Sequence, residues 1–480
     1  MNFRTRRTEK RFGGSPGRGA LQACALPLAL ILLWAAEIRA QDTAAWIEGY
    51  QAAAARIIGE SFSGTFAWGR LAELTDSFGS RLSGSPSLAQ AADWALARMK
   101  MDGLENVHSE MVMVPRWIRG NESAEIVQPS PSPRVMLGLG GSAATPPEGI
   151  EAEVLVVSSF ADLMQKAEAA RGKIVVYNVP FTDYGETVQY RIQGASRAAR
   201  YGAVAALVRS VGPPGLRTPH TGVMTYTGDG PKVPAAAITV EDAERLQRMQ
   251  ERGIRVIVRL KMESHFEPDA ESANVVGEIR GRENPEEIVL IGGHLDSWDV
   301  GVGATDDAVG CVVTWEAARL LKKLGLRPRR TVRVVLFTNE ENGSRGGVGY
   351  RDRHSDEASL HTLALEADSG VFPPLKLGFT GAEADRRRLG EITALLKGIG
   401  MDGLEGGGGG ADIGPIVELG KVPAMALSGD PLRYFTVHHT PADTVDQIAP
   451  EEVSRAAAAI AVIVYAAAEM PDRLGRPAVP

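Results

Sequence analysis

Short apolar runs alternate with amphipathic stretches along most of this chain. From about residue 266 the runs EEIVLIGGH (286–294), TVRVVLFTN (331–339), LHTLALEAD (360–368) and VPAMALS (422–428) have the length expected of strands buried on both faces. Between and after them, DAVGCVVTWEAARLLKKLG (307–325), EADRRRLGEITALLKGIG (383–400) and PEEVSRAAAAIAVIVYAAAEM (450–470) carry helical patterns. Strand followed by helix, repeated, predicts an α/β fold: a mostly parallel twisted sheet covered by helices on both faces.

The same alternation marks an earlier segment. AEVLVV, GKIVVYNV, VAALVRSV, PAAAIT and RVIVRLKM read as strands between 152 and 262, with helices at FADLMQKAEAAR and TVEDAERLQRMQERG. A stretch rich in Pro, Ser and Gly, PSPSPRVMLGLGGSAATPPEG (129–149), precedes it and marks a boundary. We therefore expect residues 41–140 and 266–480 to build one domain and 141–265 to form a unit inserted within it. The first part starts with helical patterns at 43–62 and 85–104, and VHSEMVMVPRW (107–117) then reads as a strand.

The first forty residues differ from the rest. Arg4, Arg6, Arg7, Lys10, Arg11 and Arg18 precede the apolar run LQACALPLALILLWAA, and Ala40 stands where a leader would be cut. Residues 1–40 read as a signal peptide, so export to a periplasmic or secreted location is expected. No second run is long enough to cross a membrane. Of the two cysteines, Cys24 lies in this leader, which leaves Cys311 alone and no intrachain disulfide in the mature chain. A net charge of -7 argues against nucleic acid as a partner, since phosphate binding needs a basic face.

Ligands of open α/β sheets collect at the carboxyl ends of the strands. Four of the predicted strands lead there to ionisable residues. The first ends in His294 and Asp296, with Asp306 in the loop beyond; the second leads into Glu340 and Glu341; the third ends at Asp368. The fourth is followed by His438, His439 and Asp443. Imidazoles mixed with carboxylates suit zinc, cobalt or manganese better than a thiolate-bound structural metal. Two metals sharing one Asp could activate a hydroxide and polarise a carbonyl, with a spare carboxylate as general base. Adjacent side chains of extended backbone point to opposite sides, so one of Glu340 and Glu341 could bind metal while the other faces substrate.

The motifs GGHLDS, DDAVG, NEENGSRG, EADSG and HHTPADT resemble those of the co-catalytic zinc exopeptidases, which include bacterial leucyl aminopeptidases and glutamate carboxypeptidases. The resemblance runs from about residue 41 to 470, and the inserted segment resembles a protease-associated domain. It implies two zinc ions per chain, one held by His294 and Asp368, the other by Glu341 and His439, with Asp306 bridging. Glu340 would be the base that deprotonates the bridging water, giving a metal-bridged hydroxide as nucleophile, and would later protonate the leaving amine. Asp296 would accept a hydrogen bond from the His294 ring, and Asp307 would follow a cis peptide. His438 would lie near the substrate carbonyl oxygen, and the loop EGGGGGADIGP (405–415), with Gly409 and Asp412, beside the substrate. A peptide substrate and a homodimer are also implied. The expected function is an exported dizinc exopeptidase acting on dipeptides or short peptides. Relatives of this fold also include single-zinc glutaminyl cyclases and non-catalytic binding proteins, against which the complete ligand set argues; a scaffold with merely solvated acids would retain no metal.

Overall fold

The computed structural model describes residues 46–477, so the leader expected at 1–40 lies outside the described residues. The chain divides into compact units at Ala52. Residues 46–52 are helical, with the rings of Trp46 and Tyr50 5.4 Å apart. The rest of the description concerns Ala53 onward.

Two eight-stranded sheets organise this second unit. The first has the spatial order Glu105–Ile118, His265–Ile279, Arg330–Phe337, Asn284–His294, His361–Glu366, Ala424–Ser428, Leu375–Thr380, Met401–Gly406. Its four central strands, Arg330–Phe337 through Ala424–Ser428 in that order, run parallel. Each is an apolar run whose backbone bonds are met on both sides, and Ile288, Leu290, Val335, Phe337 and Ala364 pack into one core beneath Ile413 and Ile416. The flanks differ from the parallel pattern expected. Glu105–Ile118 and His265–Ile279 form a long antiparallel ladder, and Leu375–Thr380 runs against Ala424–Ser428.

Helices Val309–Lys323 and Pro450–Glu469 pack together against this sheet. The first begins unusually close to the strand ends. A Cβ on Gly310 would overlap the Ala367 carbonyl oxygen, so only glycine lets the helix start there. The helix ends with Lys322 and Lys323 in its last turn and Gly325 at φ 66°, a charge and backbone pairing suited to a C-terminus.

The second sheet is ordered Ser132–Arg134, Glu122–Gln128, Ile257–Met262, Ile150–Val157, Ile174–Tyr177, Ala205–Arg209, Ala235–Ile238, Met136–Gly138. Alternate side chains feed two separate cores. One lies under helix Val240–Glu251, with Ala243, Leu246 and Met249; the other under Tyr184–Ala199, with Ala195, Ala198 and Ala199. Asp183 and Thr239 cap these helices by accepting the amides of Glu186 and Asp242.

This sheet starts earlier than the boundary read at 141. Glu122–Gln128 pairs with Ile257–Met262, and Met136–Gly138 pairs with Ala235–Ile238. The Pro, Ser and Gly stretch therefore makes turns between short edge strands inside the unit, and does not mark its rim.

The Gly310 contact yields a paired prediction for urea unfolding. Gly310→Ala should destabilise the protein by about 1–3 kcal/mol through overpacking. Gly390→Ala, within helix Glu383–Thr393 and with open space around it, should stabilise by about 0.5–1 kcal/mol.

Candidate metal centre

The carboxyl ends of the central strands deliver the predicted side chains to one place. His294 ends its strand; Arg330–Phe337 runs on to Glu340 and Glu341; His361–Glu366 runs on to Asp368. Ala424–Ser428 reaches the centre through the short helix Pro431–Val437, after which come His438 and His439. Asp306 arrives from the turn Ala304–Ala308, where Asp306 and Asp307 depart from helical geometry and their peptide bond is cis.

Asp306 lies between two imidazoles. His294 Nε2 is 3.2 Å from Asp306 Oδ1 and 3.6 Å from Asp368 Oδ1. His439 Nε2 is 3.0 Å from Asp306 Oδ2 and 3.0 Å from Glu341 Oε2. The donors thus fall into two groups that share Asp306, one oxygen in each. His294 Nε2, Asp306 Oδ2, Glu341 Oε1 and Asp368 Oδ1 are buried without a hydrogen-bond partner among the described residues. Sealing such atoms from water without partners is costly, and a cation would satisfy them together. The nitrogen and carboxylate donor set fits zinc.

The electrostatics carry the same demand for positive charge. Burial opposes a charged His294, yet the carboxylates of Asp306 and Asp368 beside it hold it well above the usual imidazole range. His439 is raised likewise against its burial by Glu341 and Asp306. Asp306 is held well below the usual carboxylate range, the imidazoles outweighing its burial. Burial, with Asp368, Glu341 and Asp306 nearby, pushes Glu340 well above it.

Two other residues stand within reach of these groups, Asp307 beside His294 and Asp368, and His438 beside Asp306 and His439. Asp307 is committed elsewhere. Its Oδ2 accepts the His294 amide at 3.0 Å and its Oδ1 the Gly310 amide at 3.1 Å. Asp443 acts similarly, accepting the amides of Thr305 at 2.7 Å and Asp306 at 3.2 Å, while burial pushes its pKa to about 7. These two acids hold the Asp306 turn. His438 stacks on His439 with ring centroids 3.6 Å apart and has Nε2 3.3 Å from Asp306 Oδ2, but its Nδ1 is buried without a partner. His439 is the better donor, because Thr221 O faces its Nδ1 at 3.2 Å and leaves Nε2 for the two acids.

Asp296 differs from its expected contact. The His294 Nδ1 bond goes to the Asp296 carbonyl oxygen at 2.9 Å, and the Asp296 carboxylate lies 3.8 Å from that nitrogen. Its oxygens instead accept the amides of Glu340 at 3.1 Å and Glu341 at 3.3 Å, and the Ser83 hydroxyl at 3.1 Å. The carboxylate therefore sets the backbone that carries Glu340 and Glu341. The side chains of Glu340 and Asp368 are 22% and 24% exposed, which marks the open side of the centre.

Asp412 is not on that side. It is completely buried, both its oxygens lack partners among the described residues, and burial with Glu366 and Glu340 pushes its pKa well up. Gly409 is part-buried at φ 149° in the same loop, which Glu366 anchors by accepting the amides of Asp412 and Ile413. Sequence reasoning missed Arg81, which is fully buried and donates to the carbonyls of Leu295, Val302 and Gly303 around the centre. It also missed Ser83, Arg191 and Thr221. An arginine among glycines and serines in GSRLSGS was the one visible sign of the first two near-site residues.

Known proteins are similar to this chain over most of its length. The model of peptidase family M28 matches residues 274–464. Carboxypeptidase Q of Mus musculus is 46% identical over 433 residues, 90% of this chain and 92% of its own length. That of Homo sapiens is 47% identical over 407 residues, 85% and 86% respectively. A crystal structure of a peptidase M28 precursor from Shewanella amazonensis, 34% identical, matches with a TM-score of 0.86 over 90% of this chain and 99% of its own. The zinc aminopeptidase of Bacillus subtilis, at 22% identity, has the same fold with a TM-score of 0.63, over 84% of this chain and 94% of its own. Both the shared fold and the 46% identity over 90% of the chain lead to one assignment: the chain belongs to peptidase family M28 and is a metallopeptidase.

Proposed function

We propose that this protein is an exported exopeptidase that holds two zinc ions and hydrolyses dipeptides or short peptides. The observation that carries the reading is Asp306, whose two oxygens each face a different imidazole. His294 and Asp368 complete one zinc site, Glu341 and His439 the other. Bound there, the zinc ions would polarise the scissile carbonyl and acidify the attacking water.

The chain's own groups supply the rest. Glu340 is the general base: it is part-exposed on the open side, and its raised proton affinity suits it to take a proton from water. The same carboxyl then returns that proton to the leaving amine. Asp296 holds the turn that carries Glu340 and Glu341 by accepting both amides. His438 stands beside Asp306, its Nε2 3.3 Å from Oδ2, and the resemblance is what supports a position near the substrate carbonyl oxygen. Export is supported by the leader pattern in residues 1–40, and pairing of two copies follows from the resemblance. Among the described residues no helix is long and apolar enough to cross a membrane.

Purified protein should cleave a free dipeptide, lose that activity to a chelator and regain it with zinc. Glu340→Gln should lower the rate by at least about 10²–10⁴-fold with zinc still bound. Two bound metals without cleavage of any dipeptide would sink the peptidase reading. Asp296→Asn turns an amide group toward donors that a carboxylate accepted. It should cost about 10–100-fold in zinc affinity or activity, and more than Ser83→Ala, which removes only one of the three donors.

A further inference from the structure

We infer that the inserted unit positions His439 through the main chain of Thr221, so that one of the two zinc sites is completed from outside the sheet that supplies every proposed ligand. The inference rests on the reading of His439 as a zinc ligand.

Thr221 and His439 bond to each other twice. The Thr221 amide donates to the His439 carbonyl oxygen at 3.0 Å, and His439 Nδ1 donates to the Thr221 carbonyl oxygen at 3.2 Å. One contact fixes the backbone and the other fixes the ring. The backbone contact matters because His439 has φ 60°, an uncommon region for residues with a side chain. The ring contact places the proton on Nδ1 and leaves the Nε2 lone pair directed at Asp306 and Glu341.

Thr221 is held in turn by its own unit. It is fully buried, and its hydroxyl donates to the Gly138 carbonyl oxygen at 2.7 Å. Its carbonyl oxygen also accepts Arg191 Nη1 at 3.2 Å, while Arg191 Nη2 donates to the Tyr184 hydroxyl at 3.0 Å. Arg191 is buried and has no carboxylate within ion-pair distance among the described residues, unlike Arg70, Arg330 and Arg333. Its Nη1 also stands 3.4 Å from His439 Nδ1, so the guanidinium sits against both the Thr221 carbonyl and the imidazole. The next residue, Gly222, has φ 136°, and a Cβ there would overlap the Arg191 guanidinium. Glycine is what allows Arg191 to sit against the Thr221 carbonyl.

Zinc titration of metal-free protein by calorimetry tests this, with circular dichroism as the check on folding. Wild type should bind two ions. Gly222→Ala and Arg191→Met should each weaken one ion by about 10–100-fold and leave the other unchanged. Arg191→Lys, which keeps a donor for the Thr221 carbonyl, should recover part of the loss. His439→Ala should abolish the same site, and adding Gly222→Ala to it should cost nothing more, the coupling expected of residues acting through one another. Folded variants that bind both ions as tightly as wild type would overturn the inference, as would equal weakening of both sites. Wild-type protein that binds no second ion would instead overturn the two-zinc reading on which it rests.

Discussion

Asp306 has both oxygens turned to imidazoles and is almost sealed from water, and the surrounding structure can be read as the means of keeping it there. A carboxylate in that position is tolerable only if positive charge stands on both sides of it. Without metal, the two imidazoles are driven toward protonation to provide that charge. Zinc would supply it more completely and would also satisfy the orphaned atoms of Glu341 and Asp368.

Holding so many acids together requires a rigid frame, and part of the frame is itself acidic. Asp307, Asp443 and Asp296 direct their oxygens to main-chain amides, two each at least, and so fix the turns that carry Asp306, Glu340 and Glu341. Amide donors balance these charges locally, which keeps them from competing as metal ligands. Burial works against the same arrangement, as the raised pKa of Asp443 records.

The central strands were legible because they are apolar on both faces and end in unusual concentrations of His, Asp and Glu. The flanking antiparallel ladder was less so: Glu105–Ile118 buries only Glu110, Val114 and Trp117, and nothing local states which strand it pairs with. The clustering of His294, Asp306, Glu341, Asp368 and His439 followed from the strand-end rule together with family resemblance. Which acids are left without amide partners and which accept amides did not, since an Asp reads the same in both settings. Asp296 illustrates this, with its carbonyl on His294 and its carboxylate on two amides. The start of the second sheet was misplaced because prolines and glycines mark turns within a unit as readily as boundaries between units. Thr221 and Arg191 were invisible because their importance lies in contacts more than two hundred residues away.

The chain enters the second sheet after Ile118 and leaves it before His265, and these two residues are partners in one antiparallel ladder. Topologically the segment that carries the second sheet is the enlarged tip of a hairpin, closed at its base by strand pairing. A body attached by such a neck would ordinarily be free to rock about it. Here the contact with His439 is a further point of attachment, well away from the neck, and each such anchor opposes that rocking. With Tyr184 stacked on Phe435 close by, a tilt of that body would disturb the residues flanking the imidazole, which ties its orientation to the shape of the catalytic centre.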